Sequence, residues 1–175
     1  MTSKKNRLLE KLINIFLNIL IFIFGVFLLI SIYNNIQINI LGNDYSSFFG
    51  YSMFEVQTGS MKDGINPGDM IIVKSDSDIK LNDIVTYKQG EEFITHRVIE
   101  AYNETYVTQG DANNVKDEPI TKGQIVGKVV KILPGFGIIR RVLFNPFVLI
   151  ALIITLYLIS SMFRRGKNMK VKEFL

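Results

Sequence analysis

The chain has 175 residues, no cysteine and one histidine. Without cysteine there are no disulfides, no thiolate catalysis and no cysteine metal sites. A single histidine argues against zinc, whose sites draw on several His or Cys ligands. No EF-hand spacing occurs, so calcium chemistry is not indicated either, and no cofactor is expected. Alanine is absent before Ala101. No Ala-x-Ala site therefore follows the first hydrophobic run, which reads as an uncleaved anchor and not as a removed signal peptide.

Charge is missing from two long runs. Residues 12–32 and 142–163 are 21 and 22 residues without a charged side chain. At about 1.5 Å per residue, a helix of either length reaches roughly 30 Å, the hydrocarbon thickness of a bilayer. Transmembrane helices are predicted over both, with one domain at 33–141 between them. That domain is long enough for a single modest core, and it shows no repeat or low-complexity tract.

The net charge of +4 is unevenly placed. Residues 1–11 hold four basic groups and one acid, and residues 164–175 hold five and one. The middle holds 11 basic and 14 acidic residues. The basic balance therefore belongs to the tails and indicates membrane topology, not nucleic acid. Lys4, Lys5, Arg7 and Lys11 at one end, and Arg164, Arg165, Lys167, Lys170 and Lys172 at the other, predict cytoplasmic tails. The middle domain is then extracytoplasmic. The second span favours the plasma membrane of a bacterium or archaeon over an ER membrane.

The middle domain carries eleven of the thirteen glycines and three of the four prolines. Between them lie short β-type runs at 54–58, 70–74, 83–88, 93–102, 105–109 and 125–133. Most are bounded by turn residues such as Asn66-Pro67-Gly68-Asp69, Gln89-Gly90, Tyr102-Asn103-Glu104 and Pro134-Gly135. No amphipathic helical stretch of useful length appears there. The predicted fold class is mainly β: a small antiparallel sheet or barrel between two transmembrane helices. Alternation puts His96 on one face with Ile94 and Val98. The aromatic stretch at 39–54 suits strand packing or a surface that dips into the membrane interface.

Three segments carry side chains that suit acyl chemistry. They are Gln57-Thr58-Gly59-Ser60-Met61, then Thr95-His96-Arg97-Val98, then Gly110-Asp111-Ala112-Asn113-Asn114-Val115-Lys116-Asp117. A serine hydroxyl needs a neighbour to take its proton, and histidine suits that task. An aspartate behind the ring fixes its tautomer. Ser60 N–H and the Thr58 hydroxyl are candidate donors to an oxyanion. Gly59 permits close backbone approach. Asp69 and Asp83 read as turn formers.

Together these segments resemble type I signal peptidases of the endoplasmic-reticulum type, found also in archaea and some Gram-positive bacteria. The family pattern runs Ser-x-Ser-Met-x-Pro, a Pro-Gly-Asp turn with a hydrophobic strand, Gly-Asp-Ile-Val-x-Tyr, Thr-His-Arg-Val/Ile, and Lys-Gly-Asp-x-Asn with a later Asp. Here the matching segments are Thr58-Gly59-Ser60-Met61, Pro67-Gly68-Asp69-Met70-Ile71-Ile72-Val73, Asn82-Asp83-Ile84-Val85-Thr86-Tyr87, Thr95-His96-Arg97-Val98 and Gln109-Gly110-Asp111-Ala112-Asn113-Asn114. Gly127-Lys128-Val129 and Pro134-Gly135-Phe136-Gly137 continue the match, which covers roughly residues 50–140. The family's proline after Ser-Met-x is Asp63 here. Its serine two before the nucleophile is Thr58, its Gly before Asp-Ile-Val is Asn82, and its Lys before Gly-Asp is Gln109.

The resemblance implies a membrane-bound serine endopeptidase that removes signal peptides from secreted precursors after small-x-small sites. Ser60 would be the nucleophile and His96 the general base, which selects the Ser-His branch over the Ser-Lys branch. Asp117 would orient His96 and Asp111 would support the site, with an exchange of those two roles as the alternative. The expected partners are membrane-held precursors with signal peptides, the bilayer and possible accessory membrane subunits. Two other readings compete. One is a catalytically silent membrane-anchored β-domain acting as an assembly subunit. The other is a Ser-Lys peptidase using Lys88 or Lys128.

Overall fold

The computed structural model describes residues 2–75 and 78–172, with side chains for 8–75, 78–137 and 139–162. The tail cations Lys4, Lys5, Arg7, Arg164, Arg165, Lys167, Lys170 and Lys172 lie outside those described side chains. The chain forms two compact units, Met1–Leu41 with Arg141–Leu175, and Gly42–Arg140.

The first unit is helical. Helix α1 (Thr2–Asn35) runs into a wide π turn at Ile36–Ile40. The stretch Leu8–Ile40 is long and apolar enough to cross a membrane, and 11% of its most apolar window is buried. That exposure is unlike a soluble core helix, whose apolar face is covered. Helix α2 (Phe136–Leu143) ends before Asn145, and α3 (Pro146–Lys172) begins after it. Here the predicted second span is interrupted. Asn145 Oδ1 accepts the Phe147 and Val148 amides at 3.0 and 3.3 Å, and Pro146 occupies the first helical position. Both are helix-start signals. Among the described residues, the apolar part of α3 is Pro146–Met162, 17 residues, or about 26 Å at 1.5 Å per residue. Among the described residues, one helix has the length and composition of a span, not two. Within this unit, Ser31 Oγ donates to the Phe144 carbonyl at 2.6 Å, and the rings of Phe27 and Phe144 meet edge to face.

The second unit is an antiparallel sheet of eight strands. They are β1 (Ser47–Phe48), β2 (Tyr51–Glu55), β3 (Met70–Lys74), β4 (Ile84–Gln89), β5 (Glu92–Tyr102), β6 (Thr105–Gln109), β7 (Ile120–Thr121) and β8 (Ile125–Leu133). Their order is β1-β2-β3-β8-β4-β5-β6-β7. The edge strands β1 and β7 do not pair with each other, so the sheet is open and the barrel alternative is corrected. Both edges are two-residue strands, too short to close a barrel.

Most strands follow the alternation and turn signals. The exception is the strand expected at 54–58, which lies at Tyr51–Glu55. Phe49 and Gly50 both take positive φ (51° and 76°), the backbone of a tight hairpin turn, and pair Phe48 with Tyr51. Pairing therefore starts earlier, and residues 56–58 leave the sheet. The aromatic stretch divides in the same way. Phe48 and Phe49 sit exposed at the hairpin tip, Phe49 at 88%, whereas Phe54 packs on Phe93 and Tyr45 beside the core.

Bulges at Ile72/Val73 and Thr86/Tyr87 bend the sheet, since an extra residue on one strand increases local twist. Two cores result. Met61, Ile65, Ile71, Val73 and Val126 form one, and Val85, Tyr87, Val98, Tyr106 and Ile120 form the other. Strand β4 feeds both, with Ile84 on the first and Val85 and Tyr87 on the second. Asp69 and Asp83 hold turns: Asp69 Oδ2 accepts the Asn66 amide at 2.8 Å, and Asp83 Oδ2 accepts the Lys80 amide at 2.9 Å.

One glycine is required by packing alone. A Cβ on Gly127 of β8 would stand 2.2 Å from the Lys74 carbonyl oxygen and 2.6 Å from its carbon. Backbone cannot yield as a side-chain tip does. Gly127→Ala is expected to destabilise the chain by about 3 kcal/mol. Thermal unfolding of the detergent-solubilised protein, followed by far-UV ellipticity, checks this; an unchanged midpoint contradicts the close approach.

Candidate active site

Ser60 stands in a turn secured from below. Met61 and Ile65 are four residues apart, one helical turn, and both are buried in the first core. Ile65 N–H donates to the Met61 carbonyl at 2.8 Å, and Lys62 N–H to the Gly59 carbonyl at 3.1 Å. With Met61 directed inward, its neighbour Ser60 is half-buried. The Ser60 hydroxyl lies 3.4 Å from the Thr58 hydroxyl. Among the described residues no hydrogen bond joins Ser60 Oγ to His96, and no protein acceptor meets the Ser60 N–H.

Two departures from the family pattern are explained by backbone conformation. Asp63 has φ 75°. A proline ring fixes φ near −65°, so this turn cannot accept the family's proline. Asn82 has φ 71° where the pattern has glycine. Asparagine is among the few other residues that tolerate this region. Gln109, where the pattern has lysine, bonds locally, its Nε2 donating to the Asn113 carbonyl at 2.7 Å.

His96 lies on β5 opposite Val85 of β4, and its side chain is 8% exposed. It shares a face with Val98, which is wholly buried. Its Nδ1 is 2.6 Å from Asp117 Oδ2. That same oxygen accepts the Thr108 hydroxyl at 2.8 Å, and Asp117 N–H donates to the Thr108 carbonyl at 2.8 Å. The loop from β6 to Asp117 is thereby folded back onto its own strand. Thr108 Oγ1 is also 3.2 Å from the hydroxyl of buried Tyr87. Thr108 was not legible as a site residue, the signal available being an inward-facing threonine just before the Gly-Asp turn, and Tyr87 was legible only as the tyrosine closing the Asn82–Tyr87 motif.

Asp111 goes elsewhere. Its carboxylate takes two hydrogen bonds from Arg97, Nε to Oδ1 at 2.8 Å and Nη2 to Oδ2 at 2.7 Å. Arg97 Nη1 also donates to the Asn82 carbonyl at 2.9 Å. Such a paired fork is geometrically specific, and it ties the Gly110 loop to β5 and to the turn before β4. A shallow open groove of about 300 Å³ is lined by Arg97, residues 82–84 and residues 128–132.

The serine turn and the histidine strand meet at Gly110. Arg97 pairs with Gln109, so Gly110 follows beside His96 as β6 ends. A Cβ on Gly110 would lie 2.6 Å from the Ser60 carbonyl oxygen. Ala112 N–H donates to that same oxygen at 2.9 Å, and Asp111 N–H reaches Met61 Sδ at 3.3 Å.

The two lysines weighed as bases are engaged elsewhere. Lys128 Nζ is 2.7 Å from Asp83, and Lys88 Nζ is 2.6 Å from Asp44. The hydrogen bond to Asp44 raises the Lys88 pKa, the wrong direction for a general base. Burial works to raise the Asp83 carboxyl, but the Lys128 hydrogen bond and nearby positive charge hold it below its usual range. Among the described residues, no group of three or more His, Cys, Asp or Glu is placed to hold a metal ion.

The family model described as Peptidase S24-like matches residues 35–130. The chain belongs to that family. The S24-like segment includes Ser60, His96, Asp111 and Asp117. Over 77 residues the chain is 32% identical to Signal peptidase I W of Bacillus subtilis (strain 168), a match covering 39% of this chain and 40% of that protein. The chain thus spans less than half the length of that curated relative. Both comparisons support kinship with signal peptidase I.

The left-handed turn at Asp63 yields a test on the S24-like site. Asp63→Pro, which restores the proline of the resembled signal peptidase pattern, is expected to cost at least about 1 kcal/mol, while Asp63→Gly is nearly neutral. Paired chemical-denaturation curves check this; an Asp63→Pro variant as stable as the parent contradicts the turn geometry.

Proposed function

We propose that this chain is a membrane-anchored serine endopeptidase of the signal peptidase I kind, in the Ser-His branch of the endoplasmic-reticulum type. The observation that carries the reading is the 2.6 Å bond from Asp117 to His96 Nδ1, on a loop that also bonds the Ser60 carbonyl. A buried histidine with a carboxylate behind it, and a serine turn held against the same loop, is the arrangement that acyl transfer needs.

In this mechanism Asp117 accepts from Nδ1–H and leaves Nε2 as the basic nitrogen. Ser60 Oγ attacks the scissile carbonyl carbon while its proton passes to His96 Nε2. The new oxyanion takes hydrogen bonds from Ser60 N–H and the Thr58 hydroxyl. Collapse breaks the C–N bond, and His96 returns the proton to the leaving amine. Water then attacks the acyl-enzyme with the same base and releases Ser60. The gap between serine and ring in the free protein closes when substrate binds, as catalytic hydrogen bonds often do. Asp111 acts through Arg97 to hold the loop.

The substrate class in this reading is a secreted precursor held in the bilayer by its signal helix and cut after a small-x-small site. Helix α1 serves as the anchor, α3 as a second span, and the sheet domain lies outside the cytoplasm. The exposed Phe48–Phe49 tip suits a domain that works at a membrane surface. Anchoring enzyme and substrate in one bilayer raises their effective concentration.

The test is cleavage of a model preprotein by the detergent-purified chain beside Ser60→Ala and His96→Ala. Each substitution is expected to lower kcat by at least about 10³-fold. Activity surviving His96→Ala contradicts the Ser-His assignment. No cleavage by a folded parent favours the silent-subunit reading.

A further inference from the structure

We propose that Thr108 and Tyr87 are positioning residues that hold Asp117 against His96. This rests on the serine peptidase reading and adds to it two residues from the core.

Asp117 sits on a loop, with its side chain 20% exposed, where a carboxylate ordinarily swings toward water. Thr108 restrains it at two points, its carbonyl taking the Asp117 amide at 2.8 Å and its hydroxyl reaching Asp117 Oδ2 at 2.8 Å. The hydroxyl and His96 Nδ1 converge on one oxygen, Oδ2, which limits rotation of the carboxylate.

Thr108 has one hydroxyl proton and two neighbours. The carboxylate is the stronger acceptor, so the proton goes to Asp117. The Thr108 hydroxyl also lies 3.2 Å from the Tyr87 hydroxyl, a second contact that restricts the threonine rotamer. Tyr87 is fully buried among Val85, Val98, Tyr106 and Ile120. Burial pushes its phenol up to about 12, so it keeps its proton wherever a histidine base works. A buried phenol without a partner would be destabilising. The side chain of Thr108 is also fully buried, opposite Val98, a position where valine would pack equally well. Its hydroxyl is explained by Asp117 and Tyr87. The order Tyr87, Thr108, Asp117, His96 thus runs from the core to the ring without a break.

The chain's single histidine makes the test direct. The full-length protein, labelled with ¹⁵N in the histidine ring, is examined in detergent by NMR. The parent is expected to show one tautomer, protonated at Nδ1. In Thr108→Val both tautomers are expected, with kcat/KM on a model preprotein lower by about tenfold and KM unchanged. Thr108→Ser is expected to restore both readouts, and Tyr87→Phe to give a smaller change of the same kind. A folded Thr108→Val that keeps a single tautomer overturns the proposal. Should Thr108→Val not fold, Tyr87→Phe decides by the same ring spectrum, a mixed signal supporting the proposal and an unchanged one overturning it. The ring spectrum does not depend on turnover. A parent that cleaves nothing overturns the peptidase reading while the tautomer result still decides this one.

Discussion

The site depends on one backbone contact, the approach of Gly110 and Ala112 to the carbonyl of Ser60. At 2.6 Å there is no room for a Cβ on residue 110, and the Ala112 amide completes the contact at 2.9 Å. The proposed chemistry depends on this point. The serine comes from a turn on the first core, and the histidine from a strand facing the second. The loop that touches the serine carbonyl also carries Asp111 to Arg97 and Asp117 to His96. Loosening that contact would separate Ser60 from His96, the proposed nucleophile and base, without removing either.

The sheet supplies the rigidity behind the contact. Strands β4 and β5 pair along six positions in one register, which fixes His96 opposite Val85. Strand β4 is buried on both faces, and its polar Thr86 is satisfied by Thr95 at 2.8 Å. A site placed on strands and tight turns holds its geometry better than one on free loops. The bulges that bend the sheet let one strand serve two cores, so a domain of modest size supports both halves of the site.

Much of this was legible in the residues. Alternation in 93–102 put His96 with Val98 on an apolar face, and the glycine and proline punctuation located most strands. What escaped has physical causes. The Phe49-Gly50 turn moved β2 earlier, because hairpin register is set by backbone sign at the turn and phenylalanine does not advertise a positive φ. Asn145 and Pro146 divided the predicted second span, a capping signal hidden inside an uncharged run. The sheet's failure to close rests on edge strands two residues long, below what periodicity detects. The two aspartates could not be separated from spacing alone, since their partners, a histidine and an arginine, are adjacent on β5. The departures at Asp63 and Asn82 became intelligible only as left-handed backbone.

The peptidase reading stands or falls on whether His96 activates Ser60. A serine-directed phosphonate probe, applied to the folded full-length chain and mapped by mass spectrometry, tests it without needing the natural substrate. One label per chain is expected, on Ser60, with its loss in His96→Ala. Label on another serine, or undiminished labelling of Ser60 in His96→Ala, would contradict it.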